Sequence, residues 1–85
     1  MKKYIIHRKD YRVLAWIRDG QRVGRRYVTR EWLHTVLFND GRTEIEVGQF
    51  INQYVTKGIL LNLGNGKFKV DCNIQFDYDG EEPVK

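Results

Sequence analysis

The sequence predicts a small α+β domain of order β-β-β-α-α-β-β, and three stretches carry that reading. Tyr11–Arg30 alternates apolar and basic residues about an Asp-Gly pair, the pattern of a β-hairpin. Residues 29–58 hold two apolar stripes at helical spacing, each behind a residue suited to cap a helix. Residues 59–76 hold two β-rich runs about Gly64-Asn65-Gly66. Strands from both ends of the chain with two helices between them imply an antiparallel sheet covered by helices on one face.

The first element is a short strand, Lys3 to His7, and Arg8-Lys9-Asp10 turns the chain into the hairpin. Together they make an N-terminal three-stranded meander over residues 3–29. A three-residue loop, Arg18-Asp19-Gly20, with Gly20 left-handed, sorts the hairpin's side chains by face. Tyr11, Val13, Ala15 and Ile17 then share the inner face with Val23 and Tyr27, interrupted by Arg25. Arg12, Leu14 and Trp16 face outward beside Arg22 and Arg26. The competing arrangement puts Leu14 and Trp16 in the core and leaves the arginines around it.

Thr29 caps the first of two short helices, with Glu31 in its first turn and Trp32, Leu33, Val36 and Leu37 on one side. Asn39-Asp40-Gly41 ends it. Thr43 and Glu46 have the spacing of a capping box, and Val47, Phe50, Ile51, Tyr54 and Val55 form one apolar stripe up to Gly58. Gly48 weakens this helix and suggests close packing on the sheet. A C-terminal hairpin follows. Its second strand, Lys67 to Phe76, alternates with Phe68, Val70, Cys72, Ile74 and Phe76 inward, so Cys72 is expected in the core. Residues 1–76 are expected to form one domain, with residues 77–85 an acidic, flexible tail that could shield a basic face.

Composition narrows the function classes. One cysteine in 85 residues excludes an intramolecular disulfide and a four-cysteine zinc site, and fits a reducing, cytoplasmic setting. No apolar run is long enough to span a membrane. The net charge is +4, unevenly distributed. Residues 1–35 hold ten basic against three acidic side chains, and residues 36–85 hold five against eight. That asymmetry, carried mostly by arginine, points to a polyanionic partner.

Catalytic signals are sparse. His7 and His34 are the only histidines, and no metal-ligand, nucleophile-elbow or phosphate-loop motif occurs. No enzyme, cofactor or metal site is expected. A metal-free ribonuclease using His7 or His34 near Arg25 or Arg26 is the one catalytic arrangement the inventory allows.

The expected function is a small nucleic-acid-binding module, regulatory or accessory, of the kind made by phages and mobile elements. Arg12, Arg18, Arg22, Arg25, Arg26 and Arg30 would meet phosphates of DNA or RNA, and Trp16 would stack or wedge. Lys57, Lys67 and Lys69 form a secondary basic surface. The segment Val47–Val70, a helix followed by a Gly-Asn-Gly hairpin, resembles the tail of a winged-helix domain, with these lysines near the wing. The sequence places one helix, rather than a helix-turn-helix pair, directly before that wing. The hairpin-then-helix opening is similar to three-stranded-sheet DNA binders such as the arm-binding domains of integrases. The alternative function is a non-catalytic inhibitor or adaptor, of phage counter-defence type, that sets the same Arg and Trp face on a host protein complex. A homodimer through Trp16 is a further expectation.

Overall fold

The computed structural model describes residues 3–78. Its elements are β1 (Lys3–Ile6), α1 (Arg8–Arg22), β2 (Val28–Thr29), α2 (Arg30–Asn39), α3 (Glu44–Thr56), β3 (Leu60–Gly64), β4 (Lys67–Val70) and β5 (Gln75–Tyr78). The order is therefore β-α-β-α-α-β-β-β, and the expected N-terminal meander is not formed. The α+β class stands, but the β-β-β-α-α-β-β order does not.

The largest correction is α1, which occupies the stretch expected to be a hairpin. Val13, Leu14 and Ile17 are buried on one side of the helix, at the i, i+4 and i, i+3 spacings of a helical stripe. His7 caps it, its Nδ1 accepting from the Lys9 backbone N–H at 3.1 Å, and Asp10 lies in the first turn. Arg, Leu, Ala and Gln favour the helix, and Asp19-Gly20 continues it to Arg22 with no left-handed residue at Gly20. Leu14, expected to face outward, is 0 % exposed.

The helices α2 and α3 follow the capping signals. The Thr29 hydroxyl accepts from the Trp32 N–H at 3.0 Å. The Thr43 N–H donates to the Glu46 carboxylate at 2.9 Å while the Glu46 N–H donates back to the Thr43 hydroxyl, closing the capping box. Gly48 does not sit tight against the sheet, because a Cβ there would meet open space.

The strands form two sheets. β2, β4 and β3 are antiparallel in that spatial order, with Val28 opposite Phe68 and Leu60 opposite Val70. β1 and β5 form a separate parallel pair with Lys3 opposite Gln75. The predicted long strand to Phe76 breaks after Val70. There the Asp71 carboxylate accepts from the Asn73 N–H and the Asp71 carbonyl from the Ile74 N–H, so the chain turns. Cys72 lies in that turn and is exposed, not core. Asp77 and Tyr78, assigned to the tail from sequence, belong to β5. The rest of that tail lies outside the described residues.

One core joins these elements. Leu14 and Ile17 of α1, Leu33 and Leu37 of α2, Phe50 and Tyr54 of α3, and Phe68 and Val70 of β4 are all buried in it. From α1 to β4 the order is α-β-α-α-β-β, with the strands in the spatial order β2-β4-β3. The β3–β4 hairpin is directly preceded by two helices, α2 and α3, both of which the capping signals had marked.

Candidate nucleic-acid interface

The site is built by the way α1 ends. Gly24, with φ of 106°, takes the chain out of the helix, and the Arg25 N–H returns to the Gly20 carbonyl at 2.9 Å. This tight exit leaves Arg25 and Arg26 exposed just before β2. β2 then pairs with β4 so that Thr29 lies opposite Lys67. The Arg30 N–H, at the start of α2, donates to the Gly66 carbonyl in the β3–β4 turn at 2.7 Å. Cations separated in sequence by almost half the chain are therefore brought near one another: Arg25 and Arg26 share a hollow with Lys69, Lys67 lies over the Tyr27 ring, and Arg30 adjoins Gly66 while lining a neighbouring hollow with Glu31 and His34.

The other half of the site is the β3–β4 turn. Gly64, Asn65 and Gly66 all have positive φ, a run that only glycine and asparagine accept at low cost. Phe68 and Val70 point into the core, so Lys67 and Lys69 point the other way. The end of β4 is held by Gln21 of α1. Its Oε1 accepts from the Val70 N–H at 2.7 Å, and its Nε2 donates to the Val70 carbonyl at 3.0 Å and to Cys72 Sγ at 3.4 Å.

Between these groups lies an open basin of about 800 Å³ lined by Arg25, Arg26, Tyr27, Leu63 and Lys69, with Cys72 at its edge. Tyr27 is 39 % exposed and Leu63 49 %. Lys67 Nζ lies 4.8 Å from the centre of the Tyr27 ring, so the ring is flanked by a cation. Among the described residues, none of Arg25, Arg26, Arg30, Lys67 and Lys69 forms an ion pair with a carboxylate.

The remaining candidates are elsewhere. Arg12 and Trp16 line a groove of about 490 Å³ with Val36 of α2, and Trp16, 56 % exposed, sets its ring edge-on to Trp32 at 5.4 Å. Arg18 is largely taken up by the fold. Its side chain is 23 % exposed, its guanidinium carbon lies 4.8 Å from the Phe76 ring centre, and its Nε is buried without an acceptor. Arg22 lies 3.7 Å from Asp19. Lys57 caps α3 and lies 5.7 Å from the Tyr4 ring centre. The structure thus joins part of the primary arginine set to part of the secondary lysine set, and separates both from Trp16.

The opposite electrostatic character marks the start of α3. Glu44, Ile45 and Glu46 are exposed there. The Glu46 carboxyl is held below its usual range, first by the Thr43 backbone N–H and then by the Thr43 side chain. Next to it, Arg42 lies 2.6 Å from Asp10 and 3.5 Å from Asp40, so its charge is matched by two carboxylates. The Tyr54 hydroxyl donates to the same Asp10. Burial, and then that hydrogen bond, push the Tyr54 phenol well above its ordinary value.

Neither histidine lines the basin with Arg25 and Arg26. His7 caps α1, and the His34 ring packs on Phe38 at 4.1 Å. Among the described residues no group of three or more His, Cys, Asp or Glu is placed to hold a metal ion, and no helix is long and apolar enough to cross a membrane. Sequence reasoning missed Tyr27, which it had turned inward, and Leu63 and Gln21, which it had not considered. The local signal for Tyr27 was its place between two arginines and the Thr29 cap.

Comparison with protein-family models, curated proteins and solved structures finds no match.

Proposed function

We propose that this protein is a nucleic-acid-binding module that uses the wing side of its sheet. The observation that carries this reading is the convergence of Arg25, Arg26, Arg30, Lys67 and Lys69 with no carboxylate partner among the described residues. Unpaired cations gathered on one surface gain most from a polyanion, because each phosphate they neutralise releases condensed counterions. The start of α3 is a poor contact for DNA. A second helix of a helix-turn-helix pair reads bases with its N-terminal residues, and here those residues would bring Glu44 and Glu46 against phosphates. The wing side carries the opposite charge. The exposed single cysteine fits action in the reducing interior of a cell.

The test is fluorescence anisotropy with labelled DNA and RNA oligonucleotides across a salt series. Five phosphate contacts give a log–log salt slope of about −3.5 on a single strand and about −4.5 on a duplex. Arg26→Glu combined with Lys69→Glu should abolish binding while the far-UV circular dichroism spectrum is unchanged. Unaltered affinity in that folded double variant would remove this face from consideration.

The second reading, a protein-binding adaptor or inhibitor, is favoured by a different surface, the Trp16 groove between α1 and α2. Lys9 and Arg12 on its rim have no ion-pair partner among the described residues, whereas Asp40 and Asp19 are matched by arginines. A partner protein bearing carboxylates suits that rim. Binding that Trp16→Ala removes and Arg26→Glu leaves intact would favour this reading, and light scattering would show a homodimer through the same groove.

A further inference from the structure

We infer that the wing-side basin is a seat for an unpaired nucleotide, so that the preferred ligand is single-stranded nucleic acid rather than a duplex. This rests on the nucleic-acid reading above and specifies the form of its ligand. Two kinds of side chain share the basin, and a duplex backbone would use only one of them. Arg25, Arg26 and Lys69 can meet phosphates of either form. Tyr27 and Leu63, 39 % and 49 % exposed, lie among those cations and are not covered by the core.

In a duplex the base faces are stacked on one another and phosphates line the outside. Tyr27 and Leu63 would then face charged oxygens and sugar edges, which offer an apolar surface little. An unstacked base offers its flat face, and aromatic side chains beside a cationic track are how single strands are held without sequence preference. Lys67 lies over one face of the Tyr27 ring at 4.8 Å, so a base stacks on the opposite face. The Thr29–Lys67 and Val28–Phe68 register fixes the strand that follows Tyr27. Gln21, bonded to Val70 on both sides of its peptide, fixes the end of the strand that carries Lys69. Lys67 and Lys69 are thus mounted on paired backbone, Tyr27 directly precedes it, and Arg25 is held by its N–H bond to the Gly20 carbonyl.

The experiment compares a labelled oligo-dT, an oligo-rU and a duplex of equal length, each titrated with wild type, Tyr27→Ala, Tyr27→Trp and the Arg26→Glu/Lys69→Glu protein. The single strands should bind at least tenfold more tightly than the duplex. Tyr27→Ala should weaken single-strand binding roughly 5- to 150-fold, the range for loss of one base–aromatic stack, and change duplex binding less than twofold. Tyr27→Trp should restore single-strand affinity. Thermal melts confirm that each variant is folded. An equal loss on all three ligands would mean that Tyr27 serves only as a shelf for Lys67, and no loss would mean that it is not in contact; either result overturns the inference. If Arg26→Glu/Lys69→Glu still abolishes binding in those cases, the nucleic-acid reading survives without it. Failure of wild type to bind any of the three overturns both.

Discussion

Replacing Gly20 with alanine decides between helix and hairpin by the sign of its effect. Gly20 lies in the last turn of α1 without a positive φ. A Cβ added there would meet Arg25 Cδ at 3.5 Å and Arg25 Cβ at 3.7 Å, ordinary van der Waals distances. The Gly20 carbonyl, which accepts from Arg25 and Val23, is untouched by the change. Glycine in a helix is less favourable than alanine by roughly 0.5–1 kcal/mol, because the unfolded chain has more conformations to lose. An unfolding entropy near 2.1 cal/mol/K per residue, over a chain of this length, converts that to a rise in Tm of about 3–6 °C. In a hairpin whose turn needs a left-handed residue at this position, alanine would cost roughly 1–2 kcal/mol and lower Tm by about 6–11 °C. Thermal melts of both proteins by circular dichroism at 222 nm, the usual helix band, together with urea midpoints at constant m, are the assay. A fall in Tm of several degrees would refute the helical reading of α1, and with it the position of Arg25 and Arg26.

Other consequences can be checked as directly. Gly48→Ala in α3 should stabilise by about 0.5–1 kcal/mol in urea unfolding, since the new methyl enters open space and the helix continues on both sides. Tyr54→Phe should cost about 1.5 kcal/mol by the same measurement, because it removes the hydroxyl that donates to the ionised Asp10 while Arg42 still pairs that carboxylate. The pH dependence has two limbs. The lowered Glu46 carboxyl favours folding at neutral pH and loses that contribution as pH falls through its folded pKa, so the stability gap to Glu46→Gln should close in acid. The raised Tyr54 phenol acts in the other direction: above 10.0, its ordinary value, the unfolded chain ionises first and stability falls, a loss that Tyr54→Phe should lack. Cys72 should react with a thiol reagent in the native protein at a rate close to that of the urea-unfolded chain, since it is exposed in the Asp71–Ile74 turn.

The sequence was legible where the signals were local. Thr29, the Thr43–Glu46 capping box and Gly58 mark helix ends by chemistry that acts over three or four residues, and Gly64-Asn65-Gly66 marks a turn in the same way. The stretch that became α1 was ambiguous because Val13 and Ile17 fit alternation and helical spacing equally well. Leu14 is the residue that separates the two periods, and its burial settles the matter. Asp10 three residues after His7, with helix-favouring Leu, Ala and Gln following, was the available sign. The break after Val70 was hidden by alternation that continues to Phe76, although Asp71 and Asn73 are turn formers. The basin was legible only in pieces. Arg25, Arg26 and Arg30 lie within six residues of one another, but their approach to Lys67 and Lys69 depends on the β2–β4 pairing, which no local pattern specifies.

The parallel pairing of β1 with β5 ties Lys3–Ile6 to Gln75–Tyr78 across nearly the full described length. Such a closure gives up much chain entropy for only a few backbone hydrogen bonds, whereas the intervening elements close over shorter distances. The pair should be the last part of the molecule to assemble and the first to open. Its opening would lift Phe76, buried with Ile6 at the edge of the core, from the Arg18 guanidinium and the Tyr11 ring. Amide protons in Gln75–Tyr78 should therefore exchange with deuterated solvent ahead of those in α3, giving the protein a peelable outer clasp around a persistent centre.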